Sequence, residues 1–283
     1  MTSTWRDLWQ QTIDVLGERG PARWLCETAC GLDGDEFTAA LDEPATERMV
    51  AQLDTMVARY RSGEPLAYVM GRWSFRTLDL MIDRRVLIPR PETELVAECA
   101  IDAARQVTPR VVVDLGAGSG AIGLSLAAEL PVDGTEVWLT DASSDALDVA
   151  RANVASVGRG AANVRIAEGS WFDALPHELR RRVNVIVSNP PYIAVGDPEV
   201  EESVREFEPE SALFAGSDGL RDIEMIVRGA REWLAPGGIL IVEIGHRQGD
   251  AVRALAQGAG FDPESIEIRL DLAHRPRFLH AVL

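Results

Sequence analysis

Lysine is absent from this sequence of 283 residues: all 28 basic residues are arginine, and they stand against 45 aspartates and glutamates. The formal net charge of −17 gives a field that repels phosphate backbones, which disfavours a wide basic face for gripping nucleic acid. A local basic patch is still compatible with that field, and a basic or neutral partner suits it better. Long apolar runs are missing too. None approaches the roughly 20 residues needed to span a bilayer, so no membrane association is expected. The N-terminus "MTSTWRDLWQQ" lacks the basic start and apolar centre of a signal peptide, and the expected compartment is the cytoplasm. Cysteine is scarce. Cys26, Cys30 and Cys99 make no even disulfide framework. Cys26 and Cys30 have no nearby histidine or further thiol to complete a zinc site, so they read as small buried hydrophobes and no metal is expected.

What is present falls into three parts. Over 1–70 the pattern is helical, with Trp5, Leu8, Trp9, Ile13 and Leu16 on one face and Met49, Val50, Leu53, Met56, Val57 and Tyr60 on another. Breaks at "RGPA" and "CGLDGDE" divide it into short helices, and its tryptophans read as core of a small bundle. Over 71–90, "WSFRTLDLMID" and "VLIPR" alternate as a short β-hairpin would, which suggests a linker. Over 91–283 strands alternate with helical segments. "RVVVDLG", "EVWLTDA", "NVRIAEG", "VNVIVSN" and "GILIVEIG", followed by "SIEIRLD" and "RFLHAVL", make seven strands. Such alternation predicts an α/β domain with a mostly parallel, Rossmann-like sheet covered by helices on both faces.

The first of those strands runs into "DLGAGSGAIG", where Gly116, Ala117, Gly118, Ser119 and Gly120 form a tight strand-to-helix turn that a nucleotide-like cofactor can approach closely. Gly116, Gly118 and Ala121 also satisfy the G-x-G-x-x-A fingerprint of dinucleotide enzymes. Asp141, ending the second strand, stands where a carboxylate bonds ribose hydroxyls and is read as the ribose clamp; the alternative is a helix N-cap, a role that Ser143 or Ser144 can share. Asp114 is placed to hold backbone amides or a cofactor amine. Trp171, after the third strand, suits either an adenine ring or ordinary core packing.

The fourth strand ends in "SNPPYI", on the same rim of the sheet as the glycine turn. Pro190 holds Asn189 extended, and neither Pro190 nor Pro191 has an N–H, so the segment is a stiff frame that presents carbonyl acceptors. Acceptors suit a planar NH2 group, whose nitrogen is a poor nucleophile. The Asn189 side-chain oxygen and the Pro190 carbonyl can each take one N–H, aligning the nitrogen and favouring its positive charge in the transition state, with Tyr192 as a wall against the flat group. The proton leaves once the nitrogen has become acidic, so no general base is needed. The natural electrophile for such a group is the sulfonium methyl of S-adenosylmethionine.

"DLGAGSG" together with "NPPY" resembles the class I amino-methyltransferases. "GEPLAYVMG", "VLIPRPETE", "FEPESALFAGSDGL" and "VEIGHRQG" are similar to the release factor glutamine methyltransferases, and the likeness covers nearly the whole chain. It implies methylation of the N5 amide of the glutamine in the Gly-Gly-Gln loop of class 1 peptide chain release factors. It further implies that Gly116 to Gly120, Asp141, Trp171 and Asn189 contact the cofactor. Asn189, Pro190, Pro191 and Tyr192 would hold the substrate amide, and Pro89 and Arg90 would border the pocket. The helical region would help seat the protein substrate, and a monomer is expected. His274 and Pro276 depart from the family pattern in the tail. Three rivals share parts of the pattern: a glutamine methyltransferase of a ribosomal protein, an adenine-N6 methyltransferase of nucleic acid, and a nicotinamide-dependent oxidoreductase, which leaves "NPPY" unexplained. A fourth is a non-catalytic binding module that keeps the sheet.

Overall fold

A computed structural model describes residues 3–283. The chain divides into two compact units, Met1–Arg72 and Trp73–Leu283. The first unit is helical: α1 Trp5–Leu16, α2 Arg19–Cys30, α3 Gly34–Ala39, α4 Glu47–Arg61 and α5 Leu66–Met70. Thr4 and Asp7 cap the start of α1 reciprocally, and Gly17 ends it at φ 73°. The expected break falls at Gly17 and Glu18, just before "RGPA", because Pro21 is accepted in the first turn of α2, where the chain has no intrahelical use for its missing N–H. Trp5, Leu8, Leu25, Cys26, Phe37, Leu53 and Met56 form the core. Trp9 meets Phe37 edge-on at 6.2 Å, under the Arg19 guanidinium. Trp24 departs from the expectation, with 46% of its surface exposed, and Cys30 is only partly buried.

The second unit opens with a hairpin, β1 Arg72–Phe75 and β2 Leu78–Met81, whose first residue belongs to the preceding unit. "VLIPR" is not its partner strand. Val86 and Ile88 are buried, but as irregular chain before Pro91, and the Ile88 N–H is taken at 3.1 Å by the Glu208 carboxylate. The hairpin is tied into the unit: Asn153 accepts from Met81 N at 2.7 Å and donates to Met81 O at 3.1 Å. There follow α6 Pro91–Arg105, β3 Arg110–Leu115, α7 Ala121–Glu129, β4 Thr135–Asp141, α8 Ser144–Val157, β5 Val164–Glu168 and β6 Val183–Ser188. After these come α9 Glu202–Phe207, α10 Glu210–Leu213, α11 Arg221–Trp233, β7 Leu234–Glu243, α12 Gly249–Gly258, β8 Ile266–Leu270 and β9 Pro276–Val282.

Seven strands make one sheet in the order β5-β4-β3-β6-β7-β9-β8, parallel except at β9. The central strands β3, β6 and β7 carry near-continuous Val/Ile/Leu runs because both their faces are covered. Val113, Leu115, Ile186, Leu240 and Val242 pack on Ile223, Ile226 and Val227 of α11 and Val252 of α12; α6, α7 and α8 also pack on the sheet. Each such side chain removed from water contributes about 1.5–3 kcal/mol. From β3 the chain proceeds outward through β4 and β5, then returns to pair β6 against the other side of β3. That reversal opens a crevice beyond the carboxyl ends of β3 and β6, where the glycine turn and "NPPY" emerge.

Candidate active site

Gly116, Gly118 and Gly120 adopt φ of 70°, 55° and 85°, the left-handed region in which glycine is least strained. The main-chain groups of the turn are held by backbone and side-chain partners, among them Asn153 Nδ2, which donates to Ser119 O at 2.9 Å. Ala117 N donates to Thr140 O at 2.8 Å, and Gly118 N donates to Asp141 Oδ2 at 2.9 Å. Asp141 Oδ1 accepts from Ser143 N at 2.9 Å, and the N-cap of α8 is Ser143, so Asp141 braces the turn without being the cap. Burial raises its carboxyl, and the backbone donors oppose that. Trp171 lies against the turn, since a Cβ on Gly116 would meet its Cζ3 at 3.2 Å. Gly120 points inward, where a Cβ would meet Leu124 Cδ1 at 3.0 Å.

Beneath the turn, Asp114 is 1% exposed. Gly123 N donates to its Oδ2 at 2.8 Å, whereas Oδ1 has no partner among the described residues, and burial pushes the carboxyl up to about 7. A buried acceptor left open beside a backbone cradle suits a ligand that brings its own donor.

The other side of the crevice is built from side chains. Ser188 Oγ donates to Leu115 O at 2.6 Å and joins the ends of β6 and β3. Asn189 Nδ2 donates to Thr93 Oγ1 at 3.3 Å, and Thr93 Oγ1 donates to Glu243 Oε2 at 2.7 Å. Tyr192 OH donates to Glu243 Oε1 at 3.2 Å. Burial pushes Glu243 up to about 7 against the Thr93 and Tyr192 hydroxyls and the Arg277 charge, while burial and the Glu243 charge raise the Tyr192 hydroxyl. Gln248 Nε2 donates to Tyr192 O at 3.0 Å and to Gly219 O at 3.1 Å. Gly219 sits at φ 73°, and a Cβ there would lie 2.2 Å from Tyr192 O, so only glycine permits this approach. Arg90 reaches Glu208 at 2.5 Å, bracing the chain before α6.

Two cavities meet at Asn189. One of about 380 Å3 is lined by Gly116, Ala117, Gly118, Ser119, Asp141, Trp171, Asn189 and Pro191, together with Asp114, Pro89 and Thr93. The other, of about 610 Å3, is lined by Asn189, Pro190 and Tyr192, with Arg90 and Gln248. Of the residues that the resemblance places at the pocket, Gly120 alone lines neither cavity. Thr93, Glu243, Gln248 and Arg277 escaped the sequence reading. Glu243 carried a signal, as an acid closing the otherwise apolar strand "ILIVEIG" on the same rim.

The first cavity fits S-adenosylmethionine by its chemistry: an open buried carboxylate oxygen to accept from an amine, a second carboxylate to accept from hydroxyls, an indole face and a turn of small residues. Among the described residues no cluster suited to a metal ion occurs, and no helix is long and apolar enough to cross a membrane.

Comparison with known proteins identifies the family. The family described as "Methyltransferase small domain" matches residues 93–208, and that described as "PrmC N-terminal domain" matches residues 11–71. The release factor glutamine methyltransferase of Burkholderia pseudomallei is 43% identical over 255 residues, which cover 89% of this chain and 87% of that one. That of Geobacter sulfurreducens is 37% identical over 278 residues, covering 93% and 94%. Among solved structures, a methyltransferase from Pyrococcus furiosus shares the fold at 16% identity with a TM-score of 0.50, covering 81% of this chain and 98% of that one. The identities and coverage make this chain a member of the release factor glutamine methyltransferase family and, with it, an S-adenosylmethionine-dependent methyltransferase.

Proposed function

We propose that the enzyme methylates the N5 amide nitrogen of the glutamine in the Gly-Gly-Gln loop of class 1 peptide chain release factors. The observation that carries this reading is the side chain of Asn189, which stands where the two cavities meet and turns its nitrogen to Thr93. Its oxygen is left to accept an N–H from a substrate amide, and the stiff Pro190 carbonyl accepts the second. S-adenosylmethionine, when bound, supplies an electrophilic methyl group on sulfur.

Asp114 would take the cofactor's amine, Asp141 its ribose hydroxyls and Trp171 its base, with Gly116 to Ser119 as the cradle and Gly120 shaping the turn from behind. Asn189 and Pro190 would hold the amide nitrogen in line and favour the positive charge it gains as the new N–C bond forms and the methyl–sulfur bond breaks, the electron pair of that bond staying on sulfur. The surplus proton then leaves the nitrogen for water, which is why the site requires no histidine or carboxylate at the reacting atom. Tyr192, fixed by Glu243 and Gln248, walls the flat amide. On this reading the enzyme works in the cytoplasm as a monomer, the helical unit helps seat the release factor, and the strongly acidic chain has no extended grip on nucleic acid.

The test is mass spectrometry of an unmodified release factor after incubation with the enzyme and S-adenosylmethionine, alongside a ribosomal protein fraction, DNA and RNA. One methyl on the loop glutamine is expected. Methylation of a ribosomal protein or of adenine, with the release factor unchanged, would replace the substrate assigned here.

A further inference from the structure

Two side chains to which the reaction above gives no direct part stand behind Asn189. Glu243 closes β7 and is 1% exposed, and each of its carboxylate oxygens faces a hydroxyl, Tyr192 OH at 3.2 Å and Thr93 Oγ1 at 2.7 Å. A hydroxyl has one proton to give. Once Thr93 commits that proton to Glu243, its oxygen can only accept, and its donor is Asn189 Nδ2 at 3.3 Å. An amide with its nitrogen turned to Thr93 has its oxygen turned away from it. The reverse orientation would set Asn189 Oδ1 against a hydroxyl oxygen whose proton is already engaged, two acceptors face to face, and would present an NH2 to the substrate.

We infer that Glu243, acting through the Thr93 hydroxyl, is a positioning residue that fixes the Asn189 amide with its oxygen toward the substrate, so that the site receives an NH2 group and rejects a carbonyl oxygen. This rests on the reading of Asn189 as acceptor for the substrate amide. The relay has a direction, because only an acceptor at its buried end makes Thr93 an acceptor at the other. Arg277, on β9, faces Glu243 and is held by Asp271 at 3.0 Å; its charge favours the ionised carboxylate, whereas Glu92 on α6 opposes it. Tyr192 donates to the second oxygen and does not compete with Thr93 for the first.

Thr93→Val keeps the shape of the side chain and removes the hydroxyl; Thr93→Ser keeps the hydroxyl. The valine variant is expected to lose about ten- to a hundredfold in kcat for release factor methylation, as loss of transition-state alignment does. KM for the release factor and the rise in melting temperature caused by S-adenosylhomocysteine should stay as in the wild type. Serine should restore kcat to within about threefold. Thr93→Ala serves the same comparison should valine not be accommodated. A purely packing role predicts that valine is tolerated better than serine, and wild-type kcat in both hydroxyl-free variants, or equal loss in serine and valine, overturns the inference. Asn189→Ala separates this from the underlying reading: if it turns over normally, the role of Asn189 itself is wrong. If Asn189→Ala is slow while Thr93→Val is fast, only the relay is wrong.

Discussion

Gly116 to Asp141 hold their half of the crevice largely with main-chain groups, whereas Thr93, Asn189, Tyr192 and Glu243 hold the other half with side chains. On the first side every polar contact of the turn has a main-chain partner: Ala117 N to Thr140 O, Gly118 N to the Asp141 carboxylate, Gly123 N to the Asp114 carboxylate, and Ser119 O from the Asn153 amide. On the second, α6, the end of β6, β7 and β9 each contribute one or two groups to a single buried network. A backbone cradle offers a fixed shape, which suits recognition of a ligand that is the same in every turnover. A side-chain network offers a fixed polarity, which suits telling an NH2 from an oxygen. The two halves should therefore divide the labour, binding on one side and rate on the other.

The sharpest attempt to break that division is Asn189→Ala. It should lower kcat by about a hundredfold or more while leaving cofactor affinity within a few-fold of wild type and the far-ultraviolet dichroism unchanged. Turnover at the wild-type rate would remove the amide-holding mechanism. The complementary change, Asp141→Ala, should act on the other parameter. Loss of a charged acceptor costs about 1.5–3 kcal/mol, so the dissociation constant for S-adenosylhomocysteine measured calorimetrically should rise about ten- to a hundredfold. With cofactor saturating, kcat should recover most of its value. Normal affinity in this variant would sink the ribose assignment, and equal losses of affinity and rate in both variants would show that the halves are not separable.

The same contrast governs what could be read from the sequence. The seven strands, the glycine turn and "NPPY" were legible because each is local: apolar runs of strand length, glycines where φ is positive, prolines where N–H groups are dispensable. The side-chain network was not, because Thr93 and Glu243 are 150 residues apart and Tyr192 and Glu243 51 apart. Only the sheet order brings them together, and "VLIPRPETE", quoted for its family likeness, contains Thr93 without marking it. Local reasoning also erred where tertiary context decided. "RGPA" entered α2, since a proline in the first turn costs no hydrogen bond, and "VLIPR" stayed irregular, since the buried Glu208 satisfies the backbone N–H that a strand partner would have used.

The smallest effect tests whether the side-chain half carries its charge at a cost to stability. Glu243 is buried with Thr93, Tyr192 and Arg277 favouring its ionised form and Glu92 opposing it, and the balance leaves its carboxyl at about 7, above the value of 4.5 for an exposed glutamate. A carboxyl that holds its proton more tightly folded than unfolded contributes stability below about 4.5, and this is lost as pH rises to about 7. Glu243→Gln cannot titrate, so the melting temperature of the wild type minus that of the variant should fall by a few degrees between those limits and stay level above them. Asp114 is raised in the same way, but it is present in both proteins and cancels in the difference. Addition of S-adenosylhomocysteine should raise both melting curves without changing their separation, because the cofactor is proposed to bind the backbone-built half. Parallel curves across the whole range would mean that Glu243 is ionised at no cost, whereas a separation that closes when the cofactor binds would couple the two halves that the crevice keeps apart.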